Sequence, residues 1–427
     1  MQNEHQKISL VGILIWLIPA IFFMYEFLLR TFLGSISNNI IKDLNLTIQQ
    51  FTTIGSVYYI SYGLMQMPVG VLVDKFGVKK ILVVSSAFCA IATYFFACSD
   101  SFMMALWGRF LLGIGSSFAF VCLFVTVANW FPKKYFGFFS GLSQFVGTLG
   151  PILAGGPLIS FILHSNLSWR AALSYVGSFG IVIAIISLIF FRNKPKAYTT
   201  QSVQTHAKNK EKESITIRLK RLYKIKQVWY VAIFSAIVYA PLSVMGAILG
   251  TSFLRTCGLS HNDAAYMIST AWIGYAIGCP LLGYLSDILK RRKLFFIISS
   301  LFGLISTLSI LYFNLNSTWS YAAMFFLLGV AGSGQNIGFP TILENSNPDI
   351  KASAIGIGVA FVILLSAIYP TIAGFFISLN DNGVTNANNI SHSAYVHGLM
   401  LLPISYVISL LFAIFFCRET FCKQVNK

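Results

Sequence analysis

The chain has 427 residues, of which 56% are hydrophobic, 15% aromatic and only 10% charged, with a mean hydropathy of +0.74. A soluble domain carries about 25% charged residues, so this chain cannot cover itself with a wettable surface and lipid must do so. Its net charge of +17 does not mark nucleic-acid binding, because 25 of the 30 Lys and Arg fall on one side of the spans given below, three on the other (Lys42, Arg170, Arg255) and two inside spans (Arg30, Arg109); this is the positive-inside bias and predicts a cytoplasmic N-terminus.

Runs of about 20 apolar residues recur along the chain, and each must be a helix, because backbone polar groups in lipid need internal partners. Twelve spans are predicted, near residues 9–38, 50–74, 79–98, 102–130, 136–163, 170–191, 228–254, 263–289, 293–313, 318–344, 352–379 and 394–417. The first exceeds a signal-peptide core, carries Glu26 and Arg30, and lacks a small-residue cleavage site, so it is read as a span. Of thirteen carboxylates, only Glu26 lies well inside a span. A charge at that depth costs about 2.5–3.5 kcal/mol on insertion scales and marks function. Glu26 and Arg30 stand four residues apart, on one helix face. Two readings are open: an ion pair that holds the helix in its bundle, or a substrate and proton pair. In the second, Arg30 binds an anionic group and Glu26 accepts a proton when substrate competes for Arg30.

In the second span, Tyr58, Tyr62 and Gln66 fall on one stripe that is expected to face a cavity, since Tyr hydroxyls need partners in lipid. The span ends in Gly70-Val-Leu-Val-Asp74-Lys75-Phe-Gly77-Val-Lys79-Lys80. Asp74 closes a helix, an unfavourable place for an anion, and so wants a cation or a helix N-terminus of the other half as partner. Gly77 permits a tight reversal. A charged latch at this edge would favour one access state. The fourth span holds a second buried cation in Arg109-Phe-Leu-Leu-Gly113-Ile-Gly115, where an Arg bonded to backbone carbonyls for stability is one reading. Residues 192–227 form a linker with 11 Lys/Arg against Glu211 and Glu213, carrying some amphipathic helix near Ile215–Ile225. Gln144 on the fifth span, Tyr239 and Ser243 on the seventh, Trp272 on the eighth, Gln335 and Asn336 on the tenth and Tyr369 on the eleventh are further candidates for a cavity wall, with interhelix hydrogen bonding as the competing reading. Gly283-Tyr-Leu-Ser-Asp287-Ile-Leu-Lys290-Arg291-Arg292-Lys293 lies 213 residues after Gly70 and repeats its Gly, Leu and Asp in register, with Lys290 where the first copy has Gly77. The repeat predicts an all-α membrane protein of two pseudo-symmetric six-helix bundles, 1–191 and 228–427, with a cavity between them.

Gly70, Asp74, Lys75, Gly77, Lys79 and Lys80 fill every fixed place of the loop motif G-x-x-x-D-[RK]-x-G-x-[RK]-[RK]. With the helix count, the central linker and the repeat, the chain resembles the major facilitator superfamily over its whole length. The resemblance implies secondary transport by alternating access, with no enzymatic activity and no cofactor. It implies a gating role for those six residues and for Asp287 in the second copy. It also implies a proton-coupling role for Arg109, whose setting resembles the fourth-helix R-x-x-x-G-x-G pattern. Gly147-Thr-Leu-Gly150-Pro151-Ile-Leu-Ala-Gly155-Gly156 resembles the family's antiporter motif but departs from it twice in spacing, and close packing explains its glycines.

An Arg on the first helix is similar to the organophosphate:phosphate exchangers and the anion:cation symporters of this superfamily. The exchangers use a second Arg on the seventh helix, where this chain reads Tyr239-Ala-Pro-Leu-Ser-Val-Met-Gly-Ala-Ile, with no cation. The expected activity is therefore proton-coupled symport of an organic anion, amino acid or peptide-like metabolite across the bacterial inner membrane. The chain is expected to be a monomer with both termini cytoplasmic. A phosphate-ester exchanger and a non-transporting membrane sensor are the alternatives. The expected substrate contacts are Arg30, Tyr58, Tyr62, Gln144, Tyr239, Trp272, Gln335 and Asn336, with Glu26 and Arg109 handling the proton. The partners are a small-molecule substrate, protons and the lipid bilayer, with no nucleic acid. The seven Cys are scattered, and only the loose pair Cys417/Cys422 approaches metal-ligand spacing, so no metal site is expected.

Overall fold

The computed structural model describes residues 9–132, 136–193, 223–313, 315, 317–346, 351–380 and 390–425, apart from the side chains of Met67, Asp74, 136–138, Leu163 and 351–353. Most of the basic linker, including the helix expected near Ile215–Ile225 up to residue 222, lies outside the described residues, as do residues 381–389 of the polar loop. Among the described residues every regular element is helical. The first half comprises α1 (Leu10–Ser35), α2 (Ser37–Asp43), α3 (Ile48–Phe76), α4 (Val78–Ala97), α5 (Phe102–Ser116), α6 (Phe118–Trp130), α7 (Phe136–Ala154), α8 (Gly156–His164) and α9 (Trp169–Phe190). The second half comprises α10 (Lys226–Val244), a π turn at Met245–Leu249, α11 (Gly250–Thr256), α12 (His261–Leu289), α13 (Arg292–Tyr312), α14 (Thr318–Gly332), α15 (Gln335–Glu344), α16 (Lys351–Leu379), α17 (His392–Leu399), α18 (Leu401–Leu411) and a π turn at Phe412–Phe416.

Among the described residues ten helical stretches are long and apolar enough to cross a membrane, and the pair Phe139–Ala154 and Gly156–Ile162, bent by 41°, makes an eleventh. The 29-residue α3 occupies the place of the second expected span. It is long enough to cross, and it is more polar, carrying Gln49, Gln50, Thr52, Thr53 and Gln66.

Successive spans alternate in direction, which defines a near face, where α1 starts, and a far face. Six spans start at the far face, and each has a Ser or Thr cap whose side chain accepts a backbone N–H of the first turn. The caps are Thr47, Ser101, Ser168, Ser260, Ser317 and Ser391. Such caps satisfy orphan donors at the helix start. The near-face starts at Gly77, Ile225 and Arg291 have no side-chain cap of their own. For α13 the cap comes from elsewhere: the Glu419 carboxylate accepts from the Arg292 N–H at 2.8 Å and the Lys293 N–H at 3.0 Å.

The two bundles touch across the far half of the molecule. α1 meets the π turn, α3 meets α16, and α7 and α8 meet α12. Small residues let the backbones close. A Cβ on Gly34 would stand 2.7 Å from the Ala247 carbonyl, one on Gly374 would stand 2.2 Å from Thr52 Oγ1, and one on Gly155 would stand 2.3 Å from Ser269 Oγ. Ser37 and Ser252 share a hydrogen bond at 2.8 Å, and Thr371 donates to Ser56 at 2.8 Å.

The near half is different. Gly356 lies about five turns before Gly374 and so shares its face, and Gly70 lies about two turns after Gly63, whose Cβ would meet Ile363 at 3.1 Å. Gly141 and Gly283 stand about four turns from Gly155 and Ser269. A Cβ on Gly70, Gly141, Gly283 or Gly356 would meet nothing within 4 Å. The same helix faces that seal the far half therefore stand apart in the near half, and the space between the bundles opens to the near face.

The two copies of the loop motif both turn at a residue of positive φ, but not the same residue. Gly77 adopts φ +80°, and the Lys79 N–H donates to Asn193 Oδ1 at 2.8 Å. In the second copy Lys290 stands at the matching place, also at positive φ but in the left-handed helical region at φ 51° and ψ 41°, whereas Gly77 has ψ 154°. The backbone reversal is kept without the residue that makes it easy.

Candidate functional site

α1 carries the charged pair into the protein's centre, and its four-residue spacing puts both side chains on one face. Glu26 is 0% and Arg30 5% exposed. The Glu26 Oε1 atom accepts from Arg30 Nη2 at 2.5 Å, from Arg30 Nε at 3.0 Å and from the Tyr58 hydroxyl at 2.8 Å. The other oxygen, Oε2, is buried with no hydrogen-bond partner. A buried carboxylate is tolerated only when paired and hydrogen-bonded, and here all of that support falls on one oxygen.

Aromatic rings from both bundles surround the pair. The Arg30 guanidinium lies 4.4 Å from the Phe27 ring centroid and 4.8 Å from that of Tyr62. Tyr239, from the second bundle, has its hydroxyl beside the same guanidinium. The Tyr62 ring stacks on Tyr58 at 6.2 Å. The stripe expected on α3 thus does face the charged pair, at Tyr58 and Tyr62.

Arg109 is fully buried on α5, with its guanidinium 4.5 Å from the Tyr58 ring centroid. It donates to the carbonyls of Leu29 at 2.7 Å and Arg30 at 3.3 Å, and its Nε has no partner. It therefore grips the α1 backbone at the Arg30 peptide and forms no hydrogen bond with Glu26. Of the two readings open for it in the sequence, these contacts are those of an Arg bonded to backbone carbonyls.

The second bundle contributes a polar cluster that the sequence marked only in part. Gln335 Nε2 donates to the Tyr275 hydroxyl at 2.7 Å, and Asn336 Nδ2 donates to the same oxygen at 3.1 Å and to Cys279 Sγ at 2.9 Å. Tyr275 sits edge-on to Tyr239 at 5.9 Å and to Trp272 at 5.6 Å. Trp272 lies 6.4 Å from Phe27 of the first bundle and donates its indole N–H to the Gly246 carbonyl at 2.9 Å. Tyr275 and Cys279 were missed as site residues. The signal was their place on the Trp272 face of one helix, three and seven residues further on.

Other candidates lie apart. Gln144 is half-buried and its side chain joins none of these bonds. The Ser243 hydroxyl donates to its own helix at Ala240. The Tyr369 hydroxyl accepts from Ser405, an interhelix bond. At the near face, the Asp74 side chain lies outside the described residues, and Lys75 leans over Phe76 at 5.3 Å. Asp287 pairs with Arg292 at 2.6 Å, and Arg292 also holds Glu344 at 2.8 Å. Among the described residues no group of three or more His, Cys, Asp or Glu could hold a metal ion.

The sequence pattern of the Major Facilitator Superfamily matches residues 15–254 and 231–421. The chain is 24% identical over 258 residues to the "Probable sulfoacetate transporter SauU" of Cupriavidus necator, covering 59% of each chain, so the match spans less than two thirds of that relative. It is 23% identical over 387 residues to the "Probable galactarate/D-glucarate transporter GarP" of Escherichia coli, covering 82% of this chain and 84% of that one. In structure it superposes on a bacterial homolog of the human lysosomal transporter Spinster, in an inward-facing and unoccupied conformation. That match has a TM-score of 0.76 at 18% identity, covering 97% of this chain and 96% of the other.

Proposed function

The chain belongs to the Major Facilitator Superfamily and is a multi-pass membrane transporter, not an enzyme, and from that premise we propose that it carries a small organic anion with a proton across the bacterial inner membrane by alternating access. The observation that carries this reading is the lopsided support of Glu26, with three donors on Oε1 and none on Oε2. While Glu26 and Arg30 hold each other, the pair is neutral, and Arg109 is held on the α1 backbone. An incoming carboxylate or sulfonate takes the Arg30 fork bidentately. Glu26 then keeps only Tyr58, and an uncompensated buried anion is costly enough that the group takes a proton instead. The free Oε2 is where that proton bonds. Anion and proton thus enter together, and the Glu26–Arg30 pair with its bound anion is again neutral.

Both relatives are named as probable transporters of organic anions, sulfoacetate and galactarate/D-glucarate, which supports this solute class. A single Arg, with no cation in the Tyr239–Ile248 region, suits one anionic group better than a phosphate ester. Twenty-five of the 30 Lys and Arg on the near side favour that side as the cytoplasm. The space open to it then makes this the inward-open state.

The test is uptake into proteoliposomes of purified protein, using sugar acids and short organic acids, with and without a pH gradient. Glu26→Gln should abolish gradient-driven accumulation and leave counterflow exchange intact. Accumulation by that variant at the wild-type level would remove Glu26 as the proton carrier.

A further inference from the structure

The fifth span is broken where it meets the other bundle: α7 and α8 bend by 41° across Gly155. In an unbroken helix the Gly156 N–H would bond the Ile152 carbonyl, four residues earlier. Here the Ser269 hydroxyl, on α12 of the second bundle, accepts from the Gly156 N–H at 2.9 Å and donates to the Ile152 carbonyl at 2.7 Å. A side chain of one bundle thus sits in the backbone ladder of the other, which is a known cause of a kink. Pro157 follows at once and has no N–H to return to the Leu153 carbonyl, so the next helical bond is missing as well. The junction is a hinge.

The two sides of the hinge have different partners. α7 packs chiefly along α1 of its own bundle, whereas the main neighbour of α8, apart from α7, is α12. Ser160 donates to Asn262 Oδ1 at 3.0 Å and shares a hydrogen bond with the Tyr266 hydroxyl at 3.0 Å. Gly156 makes room for this contact, since a Cβ there would stand 2.3 Å from the Tyr266 ring. α8 is therefore tied by hydrogen bonds to the second bundle and joined to the first through a junction short of them.

Both ends of a swing about this hinge keep their hydrogen bonds. When α12 withdraws, the Gly156 N–H closes on the Ile152 carbonyl, and the Ser269 hydroxyl returns to the Ala265 carbonyl one turn back, as serines in helices do. Ser160, Asn262 and Tyr266 then face water in the open mouth. An element with two satisfied arrangements switches between them rather than deforming. We propose that α8 is a hinged gate at the far mouth, with Ser269 as its latch: docked and bent while that mouth is shut, swung back onto its own bundle when it opens. This rests on the alternating-access reading above, but on neither Glu26 nor Arg30. It departs from the rocking of two rigid bundles, because α8 changes place within its own.

The experiment is fluorine NMR of the full chain in nanodiscs, with trifluoromethyl-phenylalanine in place of Phe161. Phe161 on α8 sits edge-on to Tyr175 of α9, in the same bundle, at 6.3 Å. Rigid-body rocking leaves that contact alone, and a swing of α8 breaks it. The wild type should show one dominant resonance, identified as the docked form by its shift on Tyr175→Leu. Ser269→Ala strands the Gly156 N–H and the Ile152 carbonyl in the docked form only, so a second resonance should grow about tenfold relative to the first. Ser160→Ala should act in the same direction more weakly, and it decides alone if Ser269→Ala does not fold. Labelling of a Ser56→Cys reporter from the far side should rise in parallel. Raised labelling without a second resonance would mean that the bundles part as rigid bodies, and a second resonance without raised labelling would mean that α8 moves but gates nothing. No change in either would mean that α8 is not latched at all, and each of these three results overturns the gate. Transport itself is decided separately by the uptake assay above.

Discussion

Glu26, Arg30 and Arg109 are three charges packed among aromatic rings with almost no exposure. Removing one partner of such a pair costs about 3–5 kcal/mol, because it strands the other. Lys290 is a smaller anomaly of the same kind, held at φ 51° where a Cβ is unwelcome. The left-handed conformation costs an L-residue roughly 1–2 kcal/mol, so Lys290→Gly should stabilise the protein by about 1 kcal/mol. That would be read as a higher unfolding temperature in detergent. A lower one would mean that the lysine side chain contributes more than the backbone strain removes. The charged pair was legible in the sequence because charges in an apolar run are costly and stand out, although a structural ion pair and a proton-handling pair read alike there. Tyr275 and Cys279 were not, because one more Tyr or Cys in a membrane helix resembles packing until its partners on another helix are known.

Helix ends follow a rule that no single helix shows. Far-face starts carry their own Ser or Thr caps, and the near-face starts of α4, α10 and α13 carry Lys79, Lys80, Lys226, Arg292 and Lys293, while α1 has its own Ser9 cap. Cations in a first turn oppose the helix macrodipole, so the residues that favour orientation work against the helices they begin. Glu419 offsets this for α13, and Thr420 extends the contact by donating to Glu344 at 2.5 Å. The six caps were readable as Ser or Thr before apolar runs. The Glu419 cap was hidden, since its partner is 127 residues away. The α3 and α16 crossing yields a prediction. Gly374→Val would place a branched side chain where a Cβ alone comes within 2.2 Å of Thr52. It should loosen the far-face seal and raise labelling of a Ser56→Cys reporter by a membrane-impermeant maleimide. Unchanged labelling would show that the seal does not depend on this approach.

For the molecule as a whole, the all-helical membrane fold, the duplication and the direction of the bias in Lys and Arg could all be read in advance, whereas twelve spans were expected and ten, or eleven with the bent pair, meet the length and hydropathy of a span among the described residues. Periodicity and charge asymmetry are properties of long stretches and survive local ambiguity. Which end of the cavity stands open could not, because both access states use the same sequence and differ only in how the bundles lean. If the near-face latch works as the loop motif implies, Asp74→Asn should shift the balance between the two access states, read as altered labelling from either side. Substrate affinity in a given state should change little, and a pure loss of affinity would contradict the latch.

The far-face contacts between bundles are made by hydroxyls, an amide, ring atoms, aliphatic groups and bare backbone, as at Ser37–Ser252, Ser56–Thr371, Gly34–Ala247 and Ser160–Asn262. These contacts among the described residues offer no charge for dissolved electrolyte to screen. The opposite rim is ringed by lysines and arginines and feels every counterion that gathers there. If the near mouth closes through its charges, as the latch reading has it, ionic strength would act on that end of the rocking motion and leave the neutral far seam untouched.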